Sequence, residues 1–486
     1  MIGLERKKRI LGAWCWVWCA VFLLACLRTG AVMFHHVGLD YNEGWNAQLA
    51  SWQAGQGDHR LYSSENGFVF NNYPPLSFII FGWVVKQGGD AIVVGRIVSC
   101  LSVILSSCLI ARFVKIVTRS GLSAWMSASV FLMTVNTAFY SYFGMNDPQW
   151  LAHFLMLSGL SILFSSQGVS FACWRLALSA LLIVLAGFVK HNLVALPLAL
   201  CVWIFLCDKK KALLWAGIVL VLVGGGFDLC YNLYGMGFFY DVFLHKRTVW
   251  LGRIVHGLGA VLLMGGILSV GIGLSYYYRR EVKRKDSIVL IIIYLFASLL
   301  FGLLGAMGAG VDYNIMFDVL ISGSILCGVC FSKLLEDSWH ENTVFVMCCI
   351  VSLPLLFLFP ARGVSFYRDI KNIQSNAQIW AKNIDTLKTY KNDTLCTDMT
   401  LCYWAHAPYS VDMFNLAQAL KIGGQKFLIQ EAVMMHKFAF VQVYGAPKFY
   451  RGRSDIFNNW LKKAGYHPVF TGQGDMILLG YGPQGR

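Results

Sequence analysis

Two carboxylates, Asp40 and Glu43, stand three residues apart in Leu39-Asp40-Tyr41-Asn42-Glu43-Gly44-Trp45, directly after the first long apolar run. If a helix starts there, the i, i+3 spacing brings both to one face. Charge beside a membrane-length apolar segment is costly and usually marks a working site. Further polar turns interrupt the apolar sequence. They are Asn146-Asp147-Pro148, Lys190-His191-Asn192, Asp241 with His245, Lys246 and Arg247, and Asp312-Tyr313-Asn314. The long segment after Asp40 adds Asp58, His59, Glu65 and Tyr73-Pro74-Pro75. Such a set suits group transfer from an anionic leaving group. One carboxylate takes the proton of an acceptor hydroxyl as general base. Another offers oxygen ligands to a divalent cation such as Mg or Mn, with Asp147 the candidate ligand. Lys or Arg neutralises a departing phosphate.

Each element also has a plain structural reading. Asp147 before Pro148 can cap the next helix. Lys190 can be an anchoring side chain that reaches back to the membrane surface. Asp312 can cap a later span, and Tyr73-Pro74-Pro75 can be only a turn and helix start. Asp40 and Glu43 are the hardest to explain in that way.

The elements that must position these residues are membrane helices. The chain has 486 residues, is 57% hydrophobic and 13% charged, and has a mean hydropathy of +0.58. Apolar runs long enough to cross a ~30 Å core recur from about residue 10 to 360. Lipid leaves helices as the way to satisfy backbone groups in such runs. Eleven spans are expected, at about 10–29, 91–115, 122–143, 147–165, 172–188, 191–207, 212–231, 252–277, 286–307, 313–332 and 342–360. The run at 74–87 is short for a span and suits an interfacial or re-entrant helix in the first loop.

Charge orients the spans. With Arg6-Lys7-Lys8-Arg9 inside, a signal anchor retained as the first helix, the inside segments hold seventeen Lys and Arg, and the outside loops before the tail hold six. A spanning 74–87 would largely reverse the bias, so the positive-inside rule favours eleven spans. Asp40, Glu43, Asp147, Lys190, Asp241 and Asp312 then share one external face, and the N-terminus is cytoplasmic.

The same topology divides the chain into a transmembrane part, 1–360, and an external tail, 361–486. Runs such as Phe438–Val443 and Asp475–Leu479 alternate like strands, and 411–421 reads as a helix, so the tail is expected to be a small α/β domain. Its excess of Lys and Arg suits anionic lipid heads or an acidic glycan, or a plain solvated surface. Most of the cysteines lie in apolar runs. Cys396 and Cys402 lie in the tail and can pair if it faces an oxidising compartment.

No Gly-rich phosphate loop or GxSxG elbow is present, and the one Cys-x-x-Cys, Cys327 with Cys330, lies inside an apolar run. An external site without a nucleotide motif points to a membrane-carried donor and to no nucleic acid. In its motifs the chain resembles the GT-C fold glycosyltransferases, the group that includes protein O-mannosyltransferases and lipid A aminoarabinose transferases. Four places carry the resemblance over roughly residues 10–330. An acidic motif lies in the first external loop, here Asn42-Glu43-Gly44 with Asp40 close by. A Pro pair follows about thirty residues later, here Tyr73-Pro74-Pro75-Leu76. An acidic residue before Pro opens the fourth span, here Asp147-Pro148. A Lys lies between the fifth and sixth spans, here Lys190.

The resemblance implies a polyprenyl-phosphate sugar donor, inversion at the anomeric carbon, and an envelope glycan, lipid or protein acceptor. Two departures stand out. Asn42 replaces the usual Asp before Glu, so either Asp40 or Glu43 serves as base. Tyr73 replaces the Lys that some members place before the Pro pair, so phosphate neutralisation falls to Lys190, Arg96 or a metal.

The expectation is therefore a multi-pass inner-membrane glycosyltransferase with a periplasmic or otherwise external site. Asp40 and Glu43 are its catalytic candidates, and Asp147 would hold a cation or the acceptor. Lys190, His191, Tyr73, Arg96, Asp312 and Asn314 would line the substrate site. Two rival readings remain: a transporter or flippase using the same charges as a path, and a non-catalytic subunit of a polysaccharide assembly complex.

Overall fold

A computed structural model describes residues 2–56, 60–62, 69–166, 168–244, 247–281, 287–390, 394–407, 409–422, 426–444, 454–472 and 476–481. The chain opens with α1 (Ile2–Met33), then α2 (Tyr41–Gln53), α3 (Leu76–Lys86), α4 (Ala91–Thr118) and α5 (Gly121–Thr137). Next come α6 (Gln149–Ile162), a hairpin of β1 (Phe164–Ser165) and β2 (Gly168–Val169), α7 (Cys173–Val189) and α8 (Ala195–Cys207). The chain continues through α9 (Lys209–Tyr234), the single turn α10 (Met236–Phe239), α11 (Ile254–Leu263), α12 (Gly265–Tyr277), α13 (Ser287–Ala306) and α14 (Phe317–Glu336). A 49-residue helix, α15 (Glu341–Thr389), leads into the tail.

Helix occupies each of the eleven segments expected to span. By length and composition, six pass as spans among the described residues: α1, α4, α9, α13, α14 with its preceding turn, and α15. The pair α11 and α12, bent by 70°, makes a seventh as one broken span. Of the other four helices, α7 matches the length of its apolar run, while α5, α6 and α8 are shorter than theirs. The run at 122–143 leaves helix at Thr137, and its remainder folds back through a 3₁₀ turn at Tyr140–Tyr142. The run at 191–207 becomes helical only at Ala195. The residues so released form turns that carry polar side chains.

Segment 74–87 forms α3, only 11 residues long. At 1.5 Å per residue it rises roughly 16 Å, about half a hydrocarbon core. It lies against α2, where a Cβ at Gly82 would come within 2.8 Å of the Ala50 carbonyl.

The core of the bundle is α14, 94% of whose span is covered by neighbouring helices. Small residues permit that closeness, as lipid offers helices no hydrophobic drive to associate. Gly328 lies against Ser127 and the Ser123 carbonyl of α5, and Ser127 donates to the Ser324 carbonyl at 2.8 Å.

The expected boundary at 360–361 falls inside α15. Its 49 residues rise roughly 70 Å, more than twice a hydrocarbon core. The helix thus leaves the bundle and enters the tail without a linker. The tail holds β3 (Thr394–Cys396), α16 (Met399–Ala405), β4 (Tyr409–Ser410), α17 (Met413–Ile422), α18 (Lys426–Met434), β5 (Phe440–Tyr444), α19 (Ser454–Lys463), β6 (Tyr466–Thr471) and β7 (Met476–Tyr481). The sheet order is β4-β3-β5-β7-β6. The β4-β3-β5 pairs are parallel and the β5-β7-β6 pairs antiparallel. A disulfide joins Cys396 at the end of β3 to Cys402 in α16. That helix is pressed onto α2: a Cβ at Gly44 would fall 2.0 Å from the Thr400 nitrogen, so only glycine fits.

Candidate active site

Helix α2 begins at the site because Asp40 caps it. The Asp40 Oδ1 accepts the Asn42 backbone N–H at 3.0 Å, satisfying one of the free donors of the first turn. Its other oxygen has no hydrogen bond among the described residues, and the side chain is half-buried. Burial, reinforced by the nearby charges of Asp312, Glu43 and Asp147 and opposed by the Asn42 N–H, pushes its carboxyl up to about 6.

Glu43, one turn on, has a different environment. It is fully buried, and both oxygens are held. Arg96 of α4 grips them in a two-point ion pair, Nε to Oε1 at 2.8 Å and a terminal nitrogen to Oε2 at 2.7 Å. The Leu39 N–H donates to Oε2 at 2.9 Å and the Asn146 N–H to Oε1 at 3.1 Å. Arg96 spends its other donors on the carbonyls of Val32, His35 and Val37. Arg96 was a candidate for a donor phosphate. With its guanidinium wholly enclosed by these partners, it instead ties α1, α2 and α4 together.

The turn at 144–148 is stitched to the same place. Asn146 donates from its side chain to the Glu43 carbonyl at 3.1 Å, and Asn46 donates to the Asn146 carbonyl at 2.9 Å. Gly95 makes room, as a Cβ there would lie 1.7 Å from the Asn146 side-chain oxygen.

Asp147 both caps α6 and forms an ion pair. Its Oδ1 accepts the Gln149 N–H at 2.8 Å. The Lys190 ammonium donates to its two oxygens at 3.0 and 3.3 Å, with both side chains buried. The same ammonium lies 4.3 Å from the centre of the Tyr73 ring. A cation bound at Asp147 would have to displace that ammonium, and no group of three or more His, Cys, Asp or Glu suited to a metal occurs among the described residues. The expected cation ligand therefore does not fit the geometry of Asp147. Beneath this pair, Gln149 meets His153 at 3.0 Å, and Tyr294 donates to Asp318 inside the bundle.

Asp312 does not cap a helix through its side chain. Its carboxylate accepts from the Tyr142 hydroxyl at 2.7 Å and lies 3.3 Å from His256 Nε2. The His256 ring stacks on Tyr313 at 4.1 Å. Asp312 is half-exposed and close enough to Asp40 to raise its proton affinity. Asn314 follows in the 3₁₀ turn Tyr313–Met316. The His191 ring meets Phe243 edge-on at 6.2 Å and lies close enough to Lys190 and Arg247 to feel their charges. Asp58, His59, Glu65, His245 and Lys246 lie outside the described residues.

Two residues that the sequence did not single out as site residues complete the wall. Arg247 has no hydrogen-bond partner among the described residues, lies over Phe414 at 5.8 Å, and feels the charges of Tyr73 and Asp412. Burial lowers the proton affinity of its guanidinium. Asp412, in the tail, accepts from the Tyr41 hydroxyl beside Asp40 and from the Asn415 N–H at 3.0 Å. Thr248 donates to Gln418 of α17 at 2.7 Å, and Phe414 covers Gly310. The tail therefore roofs the site. The only sequence signal for Arg247 was its place in the basic triplet His245-Lys246-Arg247, and Asp412 read as a helix start.

No protein-family model matches the sequence. No curated protein matches it either. Solved structures do match in shape. ArnT from Cupriavidus metallidurans, crystallised with undecaprenyl phosphate bound, superposes with a TM-score of 0.63 at 14% identity, over 97% of this chain and 99% of that one. Its apo form gives 0.61 at 13% identity over the same shares of the two chains. The oligosaccharyltransferase of Archaeoglobus fulgidus, in its apo form, gives 0.52 at 12% identity, over 96% of this chain and 74% of that one. Identities this low speak to architecture alone, but each match covers nearly all of this chain: the chain is a multi-pass helical protein with the GT-C fold.

Proposed function

We propose that the protein is an integral membrane glycosyltransferase that moves a sugar from a polyprenyl-phosphate donor to an acceptor hydroxyl at the face bearing Asp40. The observation that carries this reading is the division of labour among the carboxylates. Glu43 and Asp147 are neutralised by Arg96 and Lys190, while Asp40 keeps an open oxygen and a raised proton affinity. A general base works best with a pKa near the working pH, and about 6 meets that need. Support for the donor comes from the undecaprenyl phosphate of the ArnT structure and the dolichol-phosphate bound to the Archaeoglobus fulgidus enzyme AglB.

The reaction is a single displacement. Asp40 takes the acceptor proton, the acceptor oxygen bonds to the anomeric carbon, and the bond from that carbon to the phosphate oxygen breaks. The electron pair leaves on the polyprenyl phosphate, and the anomeric configuration inverts. Arg247 supplies the unpaired positive charge for the departing phosphate. Lys190 has three N–H donors. Two reach the Asp147 oxygens and one reaches Tyr73, so Lys190 acts on the phosphate through its charge rather than through a spare donor. Asp312, Asn314 and Tyr142 line the acceptor side. No step is routed through a metal ion, because Lys190 already occupies Asp147.

The test uses the purified full chain in detergent, a panel of undecaprenyl-phosphate-linked sugars, and an extract of envelope glycans, lipids and proteins as acceptor. Sugar transfer with release of undecaprenyl phosphate is expected for one donor, and Asp40→Asn should abolish it. Transfer undiminished in that variant would overturn the assignment of the base. Absence of transfer from every donor would overturn the enzyme reading.

A further inference from the structure

At the end of the bundle opposite Asp40 lies a cavity of about 520 Å³. Five elements meet there: the C-terminal end of α4, the β1–β2 hairpin, the last residue after α12, the start of α13 and the C-terminal turn of α14. The volume is within the range of small-molecule and lipid sites. Nothing in the glycosyl-transfer reading uses it. It lies a full span away from the candidate active site, since α4 begins near Arg96 and ends at Arg119, and α14 begins near Asp312 and ends at Glu336.

Its lining has two parts. The rim holds Arg119, Lys333 and Glu336, two cations against one carboxylate. Arg119 is exposed, and its guanidinium has no hydrogen-bond partner among the described residues. Lys115, one turn before, and Arg280, two residues after Tyr278, add positive charge to the same face. The apolar part of the wall below the rim is Ile116, Phe164, Ile288 and Val329, between the hydroxyls of Ser287 and Ser332. A small soluble anion would use the rim and leave the wall wet. A phospholipid uses both: its phosphate meets the cations and its acyl chains cover the wall. Basic pockets between spans at the membrane surface favour acidic headgroups in this way.

We propose that this cavity is a binding site for one anionic glycerophospholipid of the leaflet opposite the catalytic face. The phosphate lies between Arg119 and Lys333, and the acyl chains run along Ile288 and Val329. The proposal is independent of the sugar-transfer reading.

The test is native mass spectrometry of delipidated full-length protein titrated with phosphatidylglycerol or phosphatidylcholine. The wild type should retain one phosphatidylglycerol in preference to phosphatidylcholine. Arg119→Glu should weaken that retention about tenfold, since each basic group near an acidic lipid surface contributes roughly that order. Arg119→Lys should retain most of it. Val329→Trp fills the cavity without changing charge and should also block retention. A melting curve without lipid confirms that each variant is folded. Equal retention of the two lipids, or retention undiminished in both Arg119→Glu and Val329→Trp, would overturn the proposal. So would full competition by millimolar inorganic phosphate, which would mark a site for soluble anions instead.

Discussion

Asp40 caps α2 and Glu43 lies in its first turn, and the structure gives the two carboxylates opposite surroundings. Glu43 is fully enclosed, shares two hydrogen bonds with Arg96, and takes two more from backbone N–H groups. Asp40 gives one oxygen to its own helix, and the other has no hydrogen bond among the described residues. The same contrast recurs a few residues away, with Asp147 tied to Lys190 and Asp312 half-exposed beside Tyr142 and His256. A buried carboxylate that is paired and fully hydrogen-bonded holds elements together but has no lone pair for a substrate. A carboxylate that is partly desolvated and unpaired binds a proton more tightly and can exchange it. The difference between the anchor and the proposed base is thus one of partners, since the two side chains carry the same functional group.

The sharpest way to break that comparison is to neutralise each acid in turn. Asp40→Asn should cost about 10²–10⁴ in turnover, the usual worth of a general base, with little change in melting temperature. Glu43→Gln should do the reverse. It leaves Arg96 buried without its counter-charge, a loss of about 3–5 kcal/mol that thermal unfolding in detergent would read. If Asp40→Asn melts early and Glu43→Gln is stable but inactive, the roles are exchanged.

Lys190→Met tests the second anchor. Stability should fall because Asp147 is left buried and unpaired. Adding Asp147→Asn should restore much of the stability without restoring activity. Arg247→Ala should leave the melting temperature unchanged and raise KM for the lipid-linked donor about ten- to a hundredfold, the worth of a charged hydrogen bond. An unchanged KM would remove Arg247 from the donor site.

Replacing both Cys396 and Cys402 by Ser should lower stability by about 2 kcal/mol, the loop-closure value for so short a loop. Activity should survive, because the disulfide does not touch the site. The smallest expected effect concerns pH. Asp40 must be ionised to accept a proton, so turnover should fall as pH drops through about 6. Asp312→Asn removes a neighbouring negative charge that raises the Asp40 pKa, so the acid limb should move to lower pH. A limb unmoved by that change would separate Asp312 from the base.

Much of this was legible in the chain. The eleven apolar runs, the non-spanning α3 after Tyr73-Pro74-Pro75, and the strands of the tail all follow from short-range patterns of hydropathy. So did the gathering of Asp40, Glu43, Asp147, Lys190 and Asp312 at one surface, because loop charge orients spans. Less legible were the helix ends. Thr137 and Ala195 sit within continuous apolar sequence, yet helix stops or starts there because the flanking turns are held by contacts distant in sequence. The domain boundary was hidden likewise, since α15 crosses residue 360 as a single helix despite Pro354 and Pro360.

What the sequence determined by itself was most of the charged residues gathered around Asp40, the order of the eleven apolar segments that become helix, and their gathering at one end of the bundle. These depend on the solvent preference of each segment, which composition carries. The tertiary structure alone decided which charge meets which. Arg96 was a candidate for phosphate and became the partner of Glu43, Asp147 was a candidate for metal and became the partner of Lys190, and Asp412 arrived from the tail. Ion pairs and hydrogen bonds act over a few ångströms, and in this chain those few ångströms separate residues 43 to 371 positions apart. No pattern within one segment contains that information, because it exists only once α2, α4, the turn at 144–148 and the tail are packed together.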